Sequence, residues 1–161
     1  MSHAANINNA YHFVLWGADC EETMAVIFIT AFRSAGLRVK LVGVNGGRIR
    51  GAHGLCLLPD LPLHDALPLA RHAQSVIIPC AGEGLQRFAK DPRLYKFLQR
   101  SQANNAQFVM LEGEETPLIT ELGLLTSPGG LRLLPLVDQV EECVRCADQL
   151  VQGWCSTLGD A

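Results

Sequence analysis

Few residues in this sequence have the type and spacing to do chemistry, and they fall into four groups. Cys80 stands just before an expected helix N-terminus, where a thiol can be activated as a nucleophile; the plainer reading is a small residue in a tight turn. Cys20 is flanked by Asp19, Glu21 and Glu22, whose negative charges would raise its pKa and leave it inert. Cys143-Val144-Arg145-Cys146 has the spacing of a redox or half-zinc motif, but it lies in an expected helix with no second pair and no nearby histidine, so no metal site is expected there. Glu112, Glu114 and Glu115 could hold a cation or a basic ligand, although acidic residues in a helix's first turn are explained by the dipole alone. His3, His12, His53, His64 and His72 show no ligand spacing and read as solvated or core-satisfied side chains. Gly43 to Gly47 is not a phosphate loop, because no helix follows it. No cofactor is expected.

These groups need elements to position them. Tyr11–Trp16 is aromatic and β-branched enough for a first strand, and Met24, Ile27, Ala31 and Phe32 recur at helical spacing until Gly36 supplies a left-handed stop. Arg38–Val44 alternates as a second strand. Gly51 and Gly54 punctuate a small hairpin between Arg48 and Leu58, outside the main sheet. Pro59-Asp60-Leu61-Pro62 reads as a turn, and Leu63–Leu69 as a short helical piece interrupted by Pro68. Ser75–Pro79 is apolar in the manner of a strand covered on both faces. Asp91 and Pro92 are a helix start, as N-cap and first helical residue, and that helix ends near Asn104-Asn105.

Phe108, Val109 and Met110 form a strand, Leu111-Glu112-Gly113 a sharp corner, and Leu118, Ile119 and Leu122 a helix before Gly123. Such a corner is where an α/β enzyme presents a nucleophile. Thr126–Gly130 reads as a loop, and Val137, Val140, Val144, Ala147, Val151 and Trp154 mark one face of a long C-terminal helix.

Strands alternating with helices predict an α/β fold, a mainly parallel sheet with helices on both faces, whose ligands bind beyond the carboxyl ends of the strands. That edge should gather Gly17–Glu22, Pro79–Gly84 and Leu111–Glu115. With 161 residues, 48% hydrophobic and 18% charged, the chain suits one globular domain. The expected layout is a flexible lead at 1–10, the domain at 11–155 and a tail at 156–161. A net charge of −3 gives no reason to expect nucleic acid or an anionic membrane as partner. No apolar run reaches the length of a bilayer span and the start lacks signal-peptide character, so a cytoplasmic protein with its six cysteines reduced is expected.

Gly17-Ala18 with Glu21-Glu22 and the helix to Ala35-Gly36, the strand ending at Pro79 with Gly82 and Gly84 after it, Gly113 ten residues before Gly123, and Leu57–Leu67 (LLPDLPLHDAL) together resemble the ThiJ/PfpI family of the class I glutamine amidotransferase-like superfamily. The likeness spans about residues 11 to 125. It implies a flavodoxin-like three-layer sandwich and, since such proteins commonly self-associate, a homodimer. It also implies an elbow cysteine, a glutamate on the first helix, often a histidine, and a Pro-Gly-Gly oxyanion turn. Here Leu111 falls at the cysteine position, or Glu112 if the register slips by one, and Met24 falls at the glutamate position. The oxyanion turn reads Pro79-Cys80-Ala81, and the shortened Thr126–Leu134 segment holds no histidine. A thiolate needs a lowered pKa and a partner, which leucine and methionine cannot supply.

The expectation is therefore a non-catalytic protein with a binding or regulatory role. Its pocket would be lined by Cys20, Glu22, Met24, Cys80, Gly82, Leu111, Glu112 and Gly113, facing a small molecule or a protein partner. The alternative is an enzyme or redox sensor with its site moved to Cys80 or Glu112.

Overall fold

The structure is a computed structural model that describes residues 9–113, 117–136 and 138–159. Its centre is β1 (Tyr11–Trp16), in which Phe13, Val14, Leu15 and Trp16 are all fully buried. A strand apolar on both faces must be covered on both, and the sheet around it does this. Six strands lie in the order β5-β2-β1-β6-β7-β8, with every pairing parallel. They are β2 (Val39–Gly43), β5 (Leu61–Pro62), β6 (Ala73–Ile78), β7 (Gln107–Leu111) and β8 (Leu131–Leu134), besides β1. The expected hairpin forms outside this sheet from β3 (Ile49–Arg50) and β4 (Cys56–Leu57), paired antiparallel.

Helix α1 (Glu22–Ser34) carries the chain from β1 to β2, and α3 (Gly82–Ala89) and α4 (Pro92–Ala103) carry it from β6 to β7 in the opposite direction across the sheet. Right-handed crossovers of opposite direction put these helices on opposite faces. The C-terminal α6 (Gln139–Gly159) packs on α1, whereas α4 packs on α3 and on the stretch formed by α2 (Leu63–Ala66) and the 3-10 turn Leu67–His72. A short α5 (Pro117–Glu121) follows β7. Among the described residues, no helix is long and apolar enough to cross a membrane.

The local signals act as their chemistry requires. Gly36 takes φ +77° after α1, and the amide of Leu37 reaches back to the carbonyl of Phe32 at 2.9 Å, which closes the last turn. Asp91 caps α4, its Oδ1 accepting from the Arg93 amide at 2.9 Å, with Pro92 as the first helical residue.

Three expectations are corrected. Leu61–Pro62, read as part of a turn, pairs with Val42 and Gly43 as an edge strand; proline is tolerated there because an edge leaves one side of the ladder open. Leu131–Leu134, within the segment read as a shortened connection, is the sixth strand and pairs with Phe108–Leu111. The buried face of α6 is Cys143, Cys146, Ala147 and Leu150, while Val140 and Val144 are exposed. That stripe has the i, i+3, i+4, i+7 spacing of a core face, in which cysteine acts as a small apolar residue. Val137 lies outside the described residues, as do His3 and most of the lead at 1–10. Helix α6 continues to Gly159, into the stretch expected as a tail.

Candidate functional site

The sheet order reverses at β1, which has β2 on one side and β6 on the other, so the loops after β1 and β6 diverge at a topological switch point. The loop after β1 is Gly17-Ala18-Asp19-Cys20-Glu21, and the loop after β6 is Pro79-Cys80-Ala81. The amide of Glu21 donates to the carbonyl of Pro79 at 2.6 Å, drawing the two loops together. Cys20 and Cys80 meet there in a disulfide with their Cα atoms 4.4 Å apart. Both are fully buried. This corrects the expectation of six separate thiols: 60 residues of sequence separate the two cysteines, but their strands are neighbours. Cys56 and Cys155 are free and exposed, and Cys143 and Cys146 are free and buried.

The loop around the disulfide is tightly held. Asp19 has a left-handed backbone, φ +63°, which aspartate tolerates better than most residues, and its Oδ2 accepts from Arg87 on α3 at 2.7 Å. The amide of Gly17 lies 3.3 Å from Cys20 Sγ, and the Cys20 carbonyl accepts from the amide of Ala52 in the hairpin at 2.8 Å.

The corner after β7 is different from a nucleophile elbow. Leu111 is the last residue of β7 and is 2% exposed, whereas Glu112 is exposed and its amide continues the ladder by donating to Leu134 at 2.7 Å. Neither residue, nor the exposed Gly113, has a positive φ, so the strain that lifts a nucleophile from the sheet is absent at these three positions. Leucine therefore ends the strand inside the core, and the carboxylate beside it faces outward. Glu114 and Glu115, the other candidate acidic groups, lie outside the described residues. Met24 is fully buried on α1, and Gly82 opens α3 with φ +55°. Four of the expected pocket positions, Cys20, Met24, Cys80 and Leu111, are thus packed side chains.

Glu22, another of the expected pocket positions, is buried as well. It is 3% exposed, yet it is bound to the hairpin: its Oε1 accepts from the amides of His53 at 2.8 Å and Leu55 at 3.1 Å, and its Oε2 lies 3.1 Å from His53 Nδ1. Burial alone would push its carboxyl up, but hydrogen bonds from its own amide, from His53 and from Leu55 outweigh that and hold it below the usual carboxylate range. Gly51 makes this arrangement possible, because a Cβ there would occupy the space of the Glu22 carboxylate. Gly51→Ala is expected to displace Glu22 and cost about 2 kcal/mol in urea unfolding. Gly46→Ala, where a Cβ meets open space, is expected to change stability by no more than about 1 kcal/mol.

The histidines lack ligand spacing in sequence, yet folding brings His53 to Glu21 and Glu22. The available signal was the hairpin. It leaves the carboxyl end of β2, next to β1, so its tip must lie over the start of α1. Burial, with smaller contributions from Cys146 and Glu142, pushes the Cys143 thiol up to about 11, and burial also raises Cys146, the direction of packed rather than reactive thiols.

No family model matches the chain, and no curated protein matches it in sequence. Solved structures do match it. A DJ-1 superfamily protein from Salmonella typhimurium, solved as a cysteine-to-alanine mutant, superimposes with a TM-score of 0.74 at 16% identity, covering 91% of each chain. This chain has the DJ-1 superfamily fold. Oxidised DJ-1 from Toxoplasma gondii matches with a TM-score of 0.68 at 15% identity, over 92% of this chain and 97% of that one. DJ-1beta from Drosophila melanogaster matches with a TM-score of 0.66 at 16% identity over the same shares. The expected ThiJ/PfpI-type architecture, a mainly parallel sheet flanked by helices, is therefore correct. At these identities the DJ-1 likeness fixes the path of the chain, and function has to be argued from the side chains.

Proposed function

We propose that this protein is a non-catalytic, regulatory protein on a DJ-1-type scaffold, in which a redox-responsive Cys20–Cys80 pair stands at the switch point in place of an elbow nucleophile. The observation that carries this reading is the disulfide itself: the cysteines of the loops after β1 and β6 are bonded to each other, and Leu111 closes the strand where a nucleophile would sit. Reduction by a small dithiol breaks the S–S bond, adds two electrons and two protons to give Cys20 and Cys80 thiols, and leaves the reductant as its disulfide. Oxidation by hydrogen peroxide returns the bond and releases two waters. Because the pair joins the loops that lead into α1 and α3, each change of state alters how firmly those helix starts are held.

The alternative of an enzyme with a relocated site has less support, since Cys80 is buried and bonded and Glu112 is an exposed residue at a strand end. Action in the cytoplasm as a homodimer belongs to the same proposal, and a solution mass of twice the chain's 17.5 kDa is its expected sign.

The test combines mapping and assay. Peptide mass spectrometry should find Cys20 linked to Cys80 after peroxide, both alkylated after dithiothreitol, and the link restored on reoxidation. Hydrolase, glyoxalase and deglycase assays should show no turnover in either state. Robust turnover abolished by one pocket substitution would sink the non-catalytic reading. Ready alkylation of Cys20 and Cys80 in peroxide-treated protein would sink the redox reading.

A further inference from the structure

We infer that Glu21, Glu22 and His53 form a binding site for a divalent transition-metal ion of the zinc class. The site lies where the tip of the β3–β4 hairpin meets the start of α1. His53 Nδ1 is 3.1 Å from Glu22 Oε2 and 3.5 Å from Glu21 Oε2, and the three donor atoms all lie within 4.8 Å of one another. Zinc binds nitrogen and carboxylate oxygen at about 2.0–2.1 Å in tetrahedral geometry, which places neighbouring ligand atoms about 3.3 Å apart. The two distances to His53 bracket that value, so an ion can enter with small side-chain shifts.

The donors are also prearranged. Two backbone amides occupy Glu22 Oε1, which leaves Oε2 as the oxygen beside His53, and Glu22 is 3% exposed, so its rotamer is set by packing. On the other side the site is open: the His53 side chain is 70% exposed and that of Glu21 is 24% exposed. Three protein ligands and an open fourth position are the pattern of a zinc site that keeps a water or accepts an outside ligand.

Charge decides the class of ion. The site holds two carboxylates and one imidazole, and among the described residues no lysine or arginine is ion-paired with either glutamate. The α1 N-terminus opposes a cation, but with only about half a unit of positive charge. A nitrogen ligand favours zinc and its neighbours over calcium or magnesium, which prefer all-oxygen sites. Bound metal would pin the hairpin to α1, one residue from Cys20.

The experiment uses peroxide-treated full-length protein, so that Cys20 and Cys80 are bonded and contribute no thiolate. Isothermal titration with zinc chloride should show one site per chain with micromolar or tighter affinity. His53→Ala and Glu21→Gln should each weaken it at least tenfold while leaving the far-ultraviolet circular dichroism unchanged. Cobalt(II) in the same site should give weak visible bands with no thiolate-to-metal charge-transfer band. Absence of one-site binding, affinity unchanged in both variants, or a strong thiolate band would each overturn the proposal. Disulfide mapping of the same samples is a separate readout, so loss of the metal site leaves the Cys20–Cys80 reading standing, and the reverse holds too.

Discussion

Protein with the Cys20–Cys80 bond reduced is expected to unfold with a free energy about 4 kcal/mol below that of the oxidised protein. The bond closes a loop spanning 60 residues of sequence, and the entropy it removes from the unfolded chain corresponds to about 4 kcal/mol at 25 °C on the chain-entropy argument. The loop contains α1, β2, the hairpin, β5, α2 and β6, so in the unfolded state it is long and otherwise unconstrained. Urea unfolding with and without a phosphine reductant measures the difference. Cys20→Ser and Cys80→Ser should each unfold near the reduced protein and be insensitive to reductant. A difference below about 1 kcal/mol would show that the pair is not bonded in solution.

A loss of about 3 kcal/mol is expected between pH 6.5 and 4 from His12 alone. The ring is 2% exposed on the central strand, with Nδ1 2.7 Å from the Ser75 hydroxyl and T-shaped ring contacts with Phe32 and Trp154, none of them charged. Burial pushes its pKa down to about 4 from the ordinary 6.5. The unfolded chain therefore takes up a proton at a higher pH than the folded one, and stability is intact above 6.5 and falls as the pH approaches 4. A shift of that size is worth about 3 kcal/mol. Asp91, held below the usual carboxylate range by its hydrogen bond from Arg93, loses its contribution only at lower pH, so the interval from 6.5 to 5 reports on the histidine. Chemical denaturation across that interval should show the decline in the native sequence and little slope in His12→Gln. A flat native profile would refute the assignment.

Local patterns could be read from the sequence because their causes are local. The apolar run of β1, the glycine after α1 and the Asp91-Pro92 start of α4 each depend on a few adjacent residues. What escaped depends on residues far apart in the chain. Leu131–Leu134 is a strand because β7 offers it a parallel edge, and four residues between glycine and proline carry too little pattern to show that alone. The face of α6 was misjudged because valines at 140 and 144 outweighed cysteines at 143 and 146, although packing against α1 prefers the smaller groups. Cys20 with Cys80 and Glu22 with His53 are separated by 60 and 31 residues, and only the adjacency of β1 to β6 and of the hairpin to α1 unites them. The strand before the corner was legible from Phe108 to Met110, but that Leu111 belongs to it depends on the pairing with Leu134 in β8.

The position of β1 also governs how the chain is born. It is synthesised before the other described strands of the sheet, yet it is central and takes neighbours on both sides, the second of them β6, roughly 60 residues later. At about 5–20 residues per second, the aromatic segment Tyr11–Trp16 waits about 3–12 s for that partner. Until then one edge of this apolar strand has no neighbour to cover it.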